Sequence, residues 1–175
     1  MSHYGAPFVG AIKTVEPEWI DYNGHFNMAY YAVLFDRTAD EAFALVGLGP
    51  DYVQSRNASY FTLEAHLTYA RELAEGDPVR VTVQILDHDA KRVHYVQEMF
   101  HAEDNWLAAT MEAICMHVDM TAKRSAPFPP EMLARIADMH AAHQGLPVPP
   151  QVGHRIAIVR RPSASKTAAG EPARR

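Results

Sequence analysis

Residues 28–48 read MAYYAVLFDRTADEAFALVGL. Met28 to Phe35 form the longest apolar run in the chain. A helix that is apolar nearly all round has to be buried. Beyond it the pattern becomes one-sided, with Phe35, Ala39, Ala42, Phe43 and Val46 recurring at spacings of three and four. Gly47 and the Gly49-Pro50 pair supply a stop. The stretch therefore predicts one long helix enclosed by the rest of the fold.

On its N-terminal side, Phe8 to Val15 reads as a strand ended by Pro17. On its C-terminal side come four strand patterns: Tyr60–Glu72, Val79–Ile85, Arg92–Ala102 and Trp106–Met120. In the first, Phe61, Leu63, Ala65, Leu67 and Tyr69 alternate with Glu64, His66 and Thr68, which predicts one apolar and one polar face. Gly76-Asp77-Pro78, Asp87–Ala90 and Glu103–Asn105 read as turns. Met132–His143 is a short helix with Met132, Ile136 and Met139 on one side. A strand, a buried helix and four antiparallel strands make an α+β layout, with the sheet wrapped around the long helix. Residues 1–145 form the domain, 146–162 a surface-packed extension, and 163–175 a disordered tail on this reading.

The chain has 175 residues, enough for one domain with a core that needs no metal or disulfide staple. Its single cysteine, Cys115, makes no internal disulfide, and a reducing cytoplasmic setting fits. No run reaches the ~20 apolar residues needed to cross a bilayer, and the opening MSHYGAPFVG has no basic start followed by an apolar stretch, so no secretory signal is expected. Net charge is −5, unevenly spread. From His154 onward there are six basic residues and one acid; the preceding body holds 10 basic and 20 acidic residues. An acidic body argues against a nucleic-acid partner.

Asp21-Tyr-Asn-Gly-His-Phe-Asn27 lies just before the long helix. Free backbone N–H groups and the positive end of the helix dipole face such a segment and suit a polarised carbonyl oxygen. Asp21 offers a nucleophile or base, and Asn23, His25 and Asn27 offer donors. Gly24 lets the backbone approach a ligand. The same residue types also serve as ordinary caps and turns. What favours chemistry is an Asp, two Asn and a His within seven residues.

Residues 21–31, D-Y-N-G-H-F-N-M-A-Y-Y, resemble the active-site segment of hotdog-fold acyl-CoA thioesterases of the 4-hydroxybenzoyl-CoA thioesterase type, with a pattern near D-x-x-G-H-V-N-N-x-x-Y. Asp21, Gly24, His25, Asn27 and Tyr31 match; Met28 replaces the second Asn and leaves its role unfilled. The resemblance covers about residues 8–120 and implies a long helix wrapped by an antiparallel sheet, paired into a homodimer or dimer of dimers. Three further segments, Phe61–Tyr69, Ala109–Asp119 and Leu146–Pro150 with Gly153, look like those of carnitine-linked betainyl-CoA thioesterases.

A thioester releases a thiolate, and a thiol pKa of about 8.5 makes that a good leaving group. One carboxylate and oxyanion donors therefore suffice, with Asp21 attacking directly or activating water. Glu64 is a second carboxylate; in related thioesterases such a strand residue comes from the dimer partner to meet the helix start. Catalytic roles are thus expected for Asp21, Asn23, His25 and Glu64. Trp19, Tyr22, Gly24, Asn27, Tyr31 and Phe61 are expected to bind substrate. The aromatics among them, with Tyr30, Tyr60 and Trp106 nearby, could cage a trimethylammonium group.

Glu112, in an apolar strand, reads as a structural hydrogen bond or ion pair, and Cys115 as inert. His140 and His143 lack a third ligand, so no metal is expected. No cofactor is expected either, CoA being part of the substrate. Arg71, Lys91-Arg92 and Lys123-Arg124 are candidates for CoA phosphates, though each also reads as a surface charge. Two other functions fit less well. Hotdog hydratases carry D-x-N-P-x-H, which Asp21-x-Asn23-Gly24-His25 approaches with a shorter spacing and no Pro. For a non-catalytic acyl-CoA sensor the sequence shows no separate DNA-binding module, and the acidic body disfavours DNA contact.

Overall fold

The computed structural model describes residues 4–158. The disordered tail expected from residue 163 lies outside them. Seven antiparallel strands form one sheet in the order β1-β4-β5-β6-β3, with β2 also on β4 and β7 on β6. They are β1 (Phe8–Val9), β2 (Lys13–Thr14), β3 (Ala58–Tyr69), β4 (Pro78–His88), β5 (Arg92–His101), β6 (Leu107–Asp119) and β7 (Arg124–Ser125). The helices are α1 (Met28–Leu45), α2 (Pro50–Arg56) and α3 (Pro130–His143). This is the hotdog layout, with α1 held in the curl of the sheet.

The long helix ends at Leu45, three residues before the expected limit, in a closed cap. Gly47 takes a left-handed φ of +93°. Its N–H reaches the Ala44 carbonyl, and the Leu48 N–H reaches Phe43, both at 3.0 Å. Leu34, Phe35, Ala39, Ala42 and Phe43 of α1 enter one core with Val79, Val81, Val83 and Ile85 of β4 and Val93, Tyr95 and Met99 of β5. From α3, Met132, Ile136 and Met139 join the same core, as the spacing predicts.

Four local features depart from the sequence reading. The strand expected over Phe8–Val15 is two short strands. Between them Gly10 lies so close to α1 that a Cβ would stand 2.6 Å from Thr38. Gly10 still gives its N–H to the Val81 carbonyl of β4 at 2.9 Å, while Glu41 of α1 takes the Ala11 N–H and the Lys13 ammonium, each at 2.9 Å, so sheet and helix share this chain. The Gly49-Pro50 stop is also a start: Pro50 opens α2, which seats Tyr52 in the core. β7 is a two-residue strand with no periodicity to betray it. Finally β3 runs from Ala58 to Tyr69 rather than Tyr60 to Glu72, and it carries a bulge at Leu63, between the pairs Thr62–Cys115 and Glu64–Ile114.

That bulge changes the faces of β3. Tyr60 and Thr62 pair with His117 and Cys115, and Ala65, Leu67 and Tyr69 pair with Ala113, Met111 and Ala109, all on the helix side. Phe61, opposite Met116, therefore shares the outer face with Glu64 and His66, not the face of Leu67 and Tyr69. β3 is the open edge of the sheet, and Phe61 to Ala65 are all exposed.

Candidate active site

The segment before α1 is a closed loop. Ile20 and Phe26 bridge, the Asp21 N–H donates to the His25 carbonyl, and the Gly24 N–H donates to the Asp21 carbonyl, both at 2.9 Å. The Asp21 carboxylate braces the turn: Oδ1 accepts the Asn23 N–H at 2.8 Å and lies 3.5 Å from the His25 nitrogen. Oδ2 has no partner among the described residues. Gly24 is required for its left-handed φ of +80°, with open space where a Cβ would stand. The loop is anchored below, where Phe26 donates its N–H to Leu73 at 3.0 Å and Asn27 donates to Trp19 at 2.9 Å.

Asn27 is the N-cap of α1, its side chain accepting the Ala29 N–H at 2.9 Å. The Tyr30 N–H goes to the Asn27 carbonyl at 3.0 Å. The Met28 N–H is left without a protein acceptor among the described residues. A free carboxylate oxygen and an unspent backbone donor thus stand at the positive end of an 18-residue helix. This pairing supplies an attacking oxygen or base together with a donor for a developing oxyanion.

The other expected residues are distributed as follows. His25 is half-exposed beside the loop, its Nε2 3.3 Å from Glu72. Asn23 is exposed, and Tyr22 is 97% exposed. Trp19 and Tyr31 are interior. Trp19 stacks on Tyr30 at 5.6 Å, with the Arg37 guanidinium 5.7 Å from its ring. Tyr31 packs on Phe26 at 4.3 Å, and its hydroxyl accepts the Leu73 N–H at 3.3 Å. Trp19, Tyr22, Tyr31 and Phe61 therefore do not converge on one cage within a single chain.

Nor does a single chain bring Glu64 to Asp21. The far end of β3 marks the helix start, where the Tyr69 hydroxyl donates to the Met28 carbonyl at 3.3 Å. Five residues of strand, roughly 16 Å, separate Tyr69 from Glu64. Glu64 instead lines an outer-face groove with His66, His94, Glu112 and residues of the C-terminal extension. Glu112 there makes the contacts foreseen for it, to His94 Nε2 at 2.8 Å and to the Gly153 N–H at 2.7 Å.

Glu72 and Tyr69, at the loop and the helix start, were not legible as site residues, since neither belongs to a motif. Arg71 lies over Trp106 at 4.1 Å and Arg92 clasps Asp89, so both have protein partners. Burial pushes the Cys115 thiol up to about 12, so it stays protonated and unreactive. Among the described residues no helix is long and apolar enough to cross a membrane.

A family model described as the thioesterase-like superfamily matches residues 15–136. The chain belongs to the thioesterase-like superfamily. It is 40% identical over 144 residues to the betainyl-CoA thioesterase of Pseudomonas aeruginosa, covering 82% of this chain and 91% of that one. An L-carnitine dehydrogenase/betainyl-CoA thioesterase of Rhizobium meliloti is 32% identical over 142 residues, 81% of this chain and 28% of that longer protein. A Staphylococcus aureus protein solved in complex with CoA superposes with a TM-score of 0.82 at 34% identity, covering 87% of this chain and 96% of that one. The 1,4-dihydroxy-2-naphthoyl-CoA thioesterase of Synechocystis, at 17% identity and a TM-score of 0.67, covering 75% and 96%, shares the fold. The hotdog fold and the thioester-hydrolase activity implied by residues 21–31 both stand with these relatives.

Proposed function

We propose that this thioesterase hydrolyses a small acyl-CoA, betainyl-CoA, to the free acid and CoA. The observation that carries the reading is the loop leading into α1, which holds a free Asp21 carboxylate oxygen and ends at the unspent Met28 N–H of the helix start. The likeness to the Pseudomonas aeruginosa enzyme supports the choice of acyl group. The carbonyl oxygen lies toward the Met28 N–H, and its developing negative charge is stabilised by that donor and the helix dipole. Asp21 adds to the carbonyl carbon itself or takes a proton from a water that does so. The C–S bond then breaks and CoA leaves as the thiolate, needing no strong acid. With water as the attacker the free acid forms at once. With Asp21 as the attacker the acyl group stays on Asp21 as a mixed anhydride that a water then hydrolyses. No metal or redox cofactor enters this route. In single turnover in ¹⁸O-water, label appearing in the Asp21 carboxylate marks direct attack.

The working unit of this proposal is a homodimer, or a dimer of such dimers, made by antiparallel pairing of two β3 edges. Phe61 and Leu63 are 49% and 52% exposed on an unpaired strand, an arrangement that a second copy would cover. A lone buried cysteine suits a reducing cytoplasm. The test is a thiol-release assay across acyl-CoA classes. Betainyl-CoA should be cleaved with higher kcat/KM than its neutral isostere 3,3-dimethylbutanoyl-CoA or a long fatty acyl-CoA. Preference for either of the latter rejects the acyl group while keeping the hydrolase. Loss of enoyl absorbance without thiol release would instead mark a hydratase.

A further inference from the structure

The first peptide of α1, between Met28 and Ala29, is held from both sides. Its N–H, on Ala29, goes to Asn27 Oδ1 at 2.9 Å. Its carbonyl, on Met28, accepts the Tyr69 phenol hydrogen at 3.3 Å. The peptide before it is pinned at the Asn27 carbonyl, which takes the Tyr30 N–H at 3.0 Å. Both peptide planes that meet at the Met28 Cα are therefore fixed. The Met28 N–H lies in the first of them and has no protein acceptor among the described residues.

Asn27 and Tyr30 belong to the helix start itself, and helix ends held only by their own residues fray. Tyr69 brings a tie from the sheet. It is the last residue of β3, paired with Ala109 of β6. Its ring meets Tyr31 edge-on at 5.2 Å, and the buried Tyr31 is in turn bonded to Leu73. The hydroxyl is thus carried by a strand and braced by an interior ring. Burial raises its pKa, so the phenol keeps its proton and remains a donor at neutral pH. The corner it guards is open to a ligand, with Tyr69 47% and Met28 67% exposed.

We infer that Tyr69 is a positioning residue for thioester hydrolysis: its hydroxyl locks the Met28–Ala29 peptide to the sheet and so holds the free Met28 N–H in place for the developing oxyanion. The inference rests on the oxyanion role given to that N–H above. A donor already in place costs no reorganisation when charge develops. A frayed first turn would have to be ordered again in each turnover. Tyr69 neither touches the reacting atoms nor moves a proton in this role.

The test uses thiol release from whichever acyl-CoA the full-length enzyme cleaves best. Tyr69→Phe removes the hydroxyl and keeps the ring on Tyr31. It should lower kcat by roughly tenfold, a part of the 10²–10³ that loss of a whole oxyanion donor costs. KM and the urea midpoint should stay near wild type, because the lost bond is long and half-exposed. A merely structural role would move the midpoint and leave kcat. A second protein carries the α-hydroxy acid analogue of methionine at position 28, so that an ester oxygen replaces the N–H. Its kcat should fall by ~100-fold, and Tyr69→Phe in that background should cause no further loss, since the group held in place is gone. An unchanged kcat in Tyr69→Phe, or the same loss with and without the Met28 N–H, overturns the inference and leaves the oxyanion reading intact. An ester at position 28 that leaves kcat unchanged removes the oxyanion reading, and this inference with it.

Discussion

The Tyr31 hydroxyl accepts the Leu73 N–H at 3.3 Å, tying the first turns of α1 to the connection between β3 and β4. Both residues are buried, and Phe26, which packs on the Tyr31 ring, closes the Asp21 loop. The phenol thus serves the frame of the loop from inside. Tyr31→Phe strands a buried donor and should cost about 1 kcal/mol, the low end for an unsatisfied group because the bond is long. A urea midpoint lowered at unchanged slope checks this; an unchanged midpoint shows that Leu73 finds another acceptor.

His143 gives the fold a pH dependence of known sign. Its Nδ1 accepts the Ile85 N–H at 2.9 Å on the edge of β4 beyond the reach of β1, and its Nε2 faces the Gly5 carbonyl at 3.2 Å. Nδ1 must therefore be unprotonated. Burial, then the nearby His140, lower the pKa, although the Gly5 contact works the other way. The unfolded chain takes up the proton first as pH falls. Stability from this group is complete above pH ~6.5 and is lost as pH falls toward the lowered folded value. Urea midpoints from pH 8 to 5 should decline, and His143→Leu should flatten the part of that decline above pH 5.

The C-terminal extension hangs on Glu112. Burial alone would raise this carboxyl, but the Gly153 N–H and His94 hold it below the usual range. Glu112→Ala removes both bonds and leaves the weaker stacking of His66 on His154 at 6.1 Å. Trypsin should then cut after Arg155 several-fold faster than in the wild type. Equal rates would mean that the extension is held by something other than Glu112.

Much of this was legible in the chain. The long apolar pattern from Met28 gave α1, and period-two alternation located β4, β5 and β6 within a few residues. Gly24 and Asn27 in front of a helix pointed to the loop that Asp21 braces. What escaped was set by contacts distant in sequence. The first strand breaks after Gly10 because Glu41 of α1 takes the Ala11 N–H there. The Leu63 bulge reverses the face of Phe61, and no local pattern announces an inserted residue. Tyr31 and Trp19 read equally as core or as ligand contacts, because an aromatic beside a motif has the same sequence signature either way.

The β3 edge predicts an obligate pair. Leu63→Arg places a charge on the exposed bulge, a device that blocks edge pairing. Light scattering at micromolar concentration should give a dimer or larger for the wild type and a monomer for the variant. Thiol release should fall with dimer content while the far-ultraviolet circular dichroism is retained. A fully active monomer would contradict a site shared between chains.

The most direct measurement is thiol release by Asp21→Asn. The Asn side chain keeps an oxygen for the Asn23 N–H, so the loop is preserved and only the charge is lost. Turnover of an acyl-CoA should fall by ~100-fold or more, as for a positioned base or nucleophile, with oligomeric state and urea midpoint retained. Near-wild-type thiol release from the folded variant would contradict the account, because the carboxylate at the head of α1 would then have no part in the chemistry.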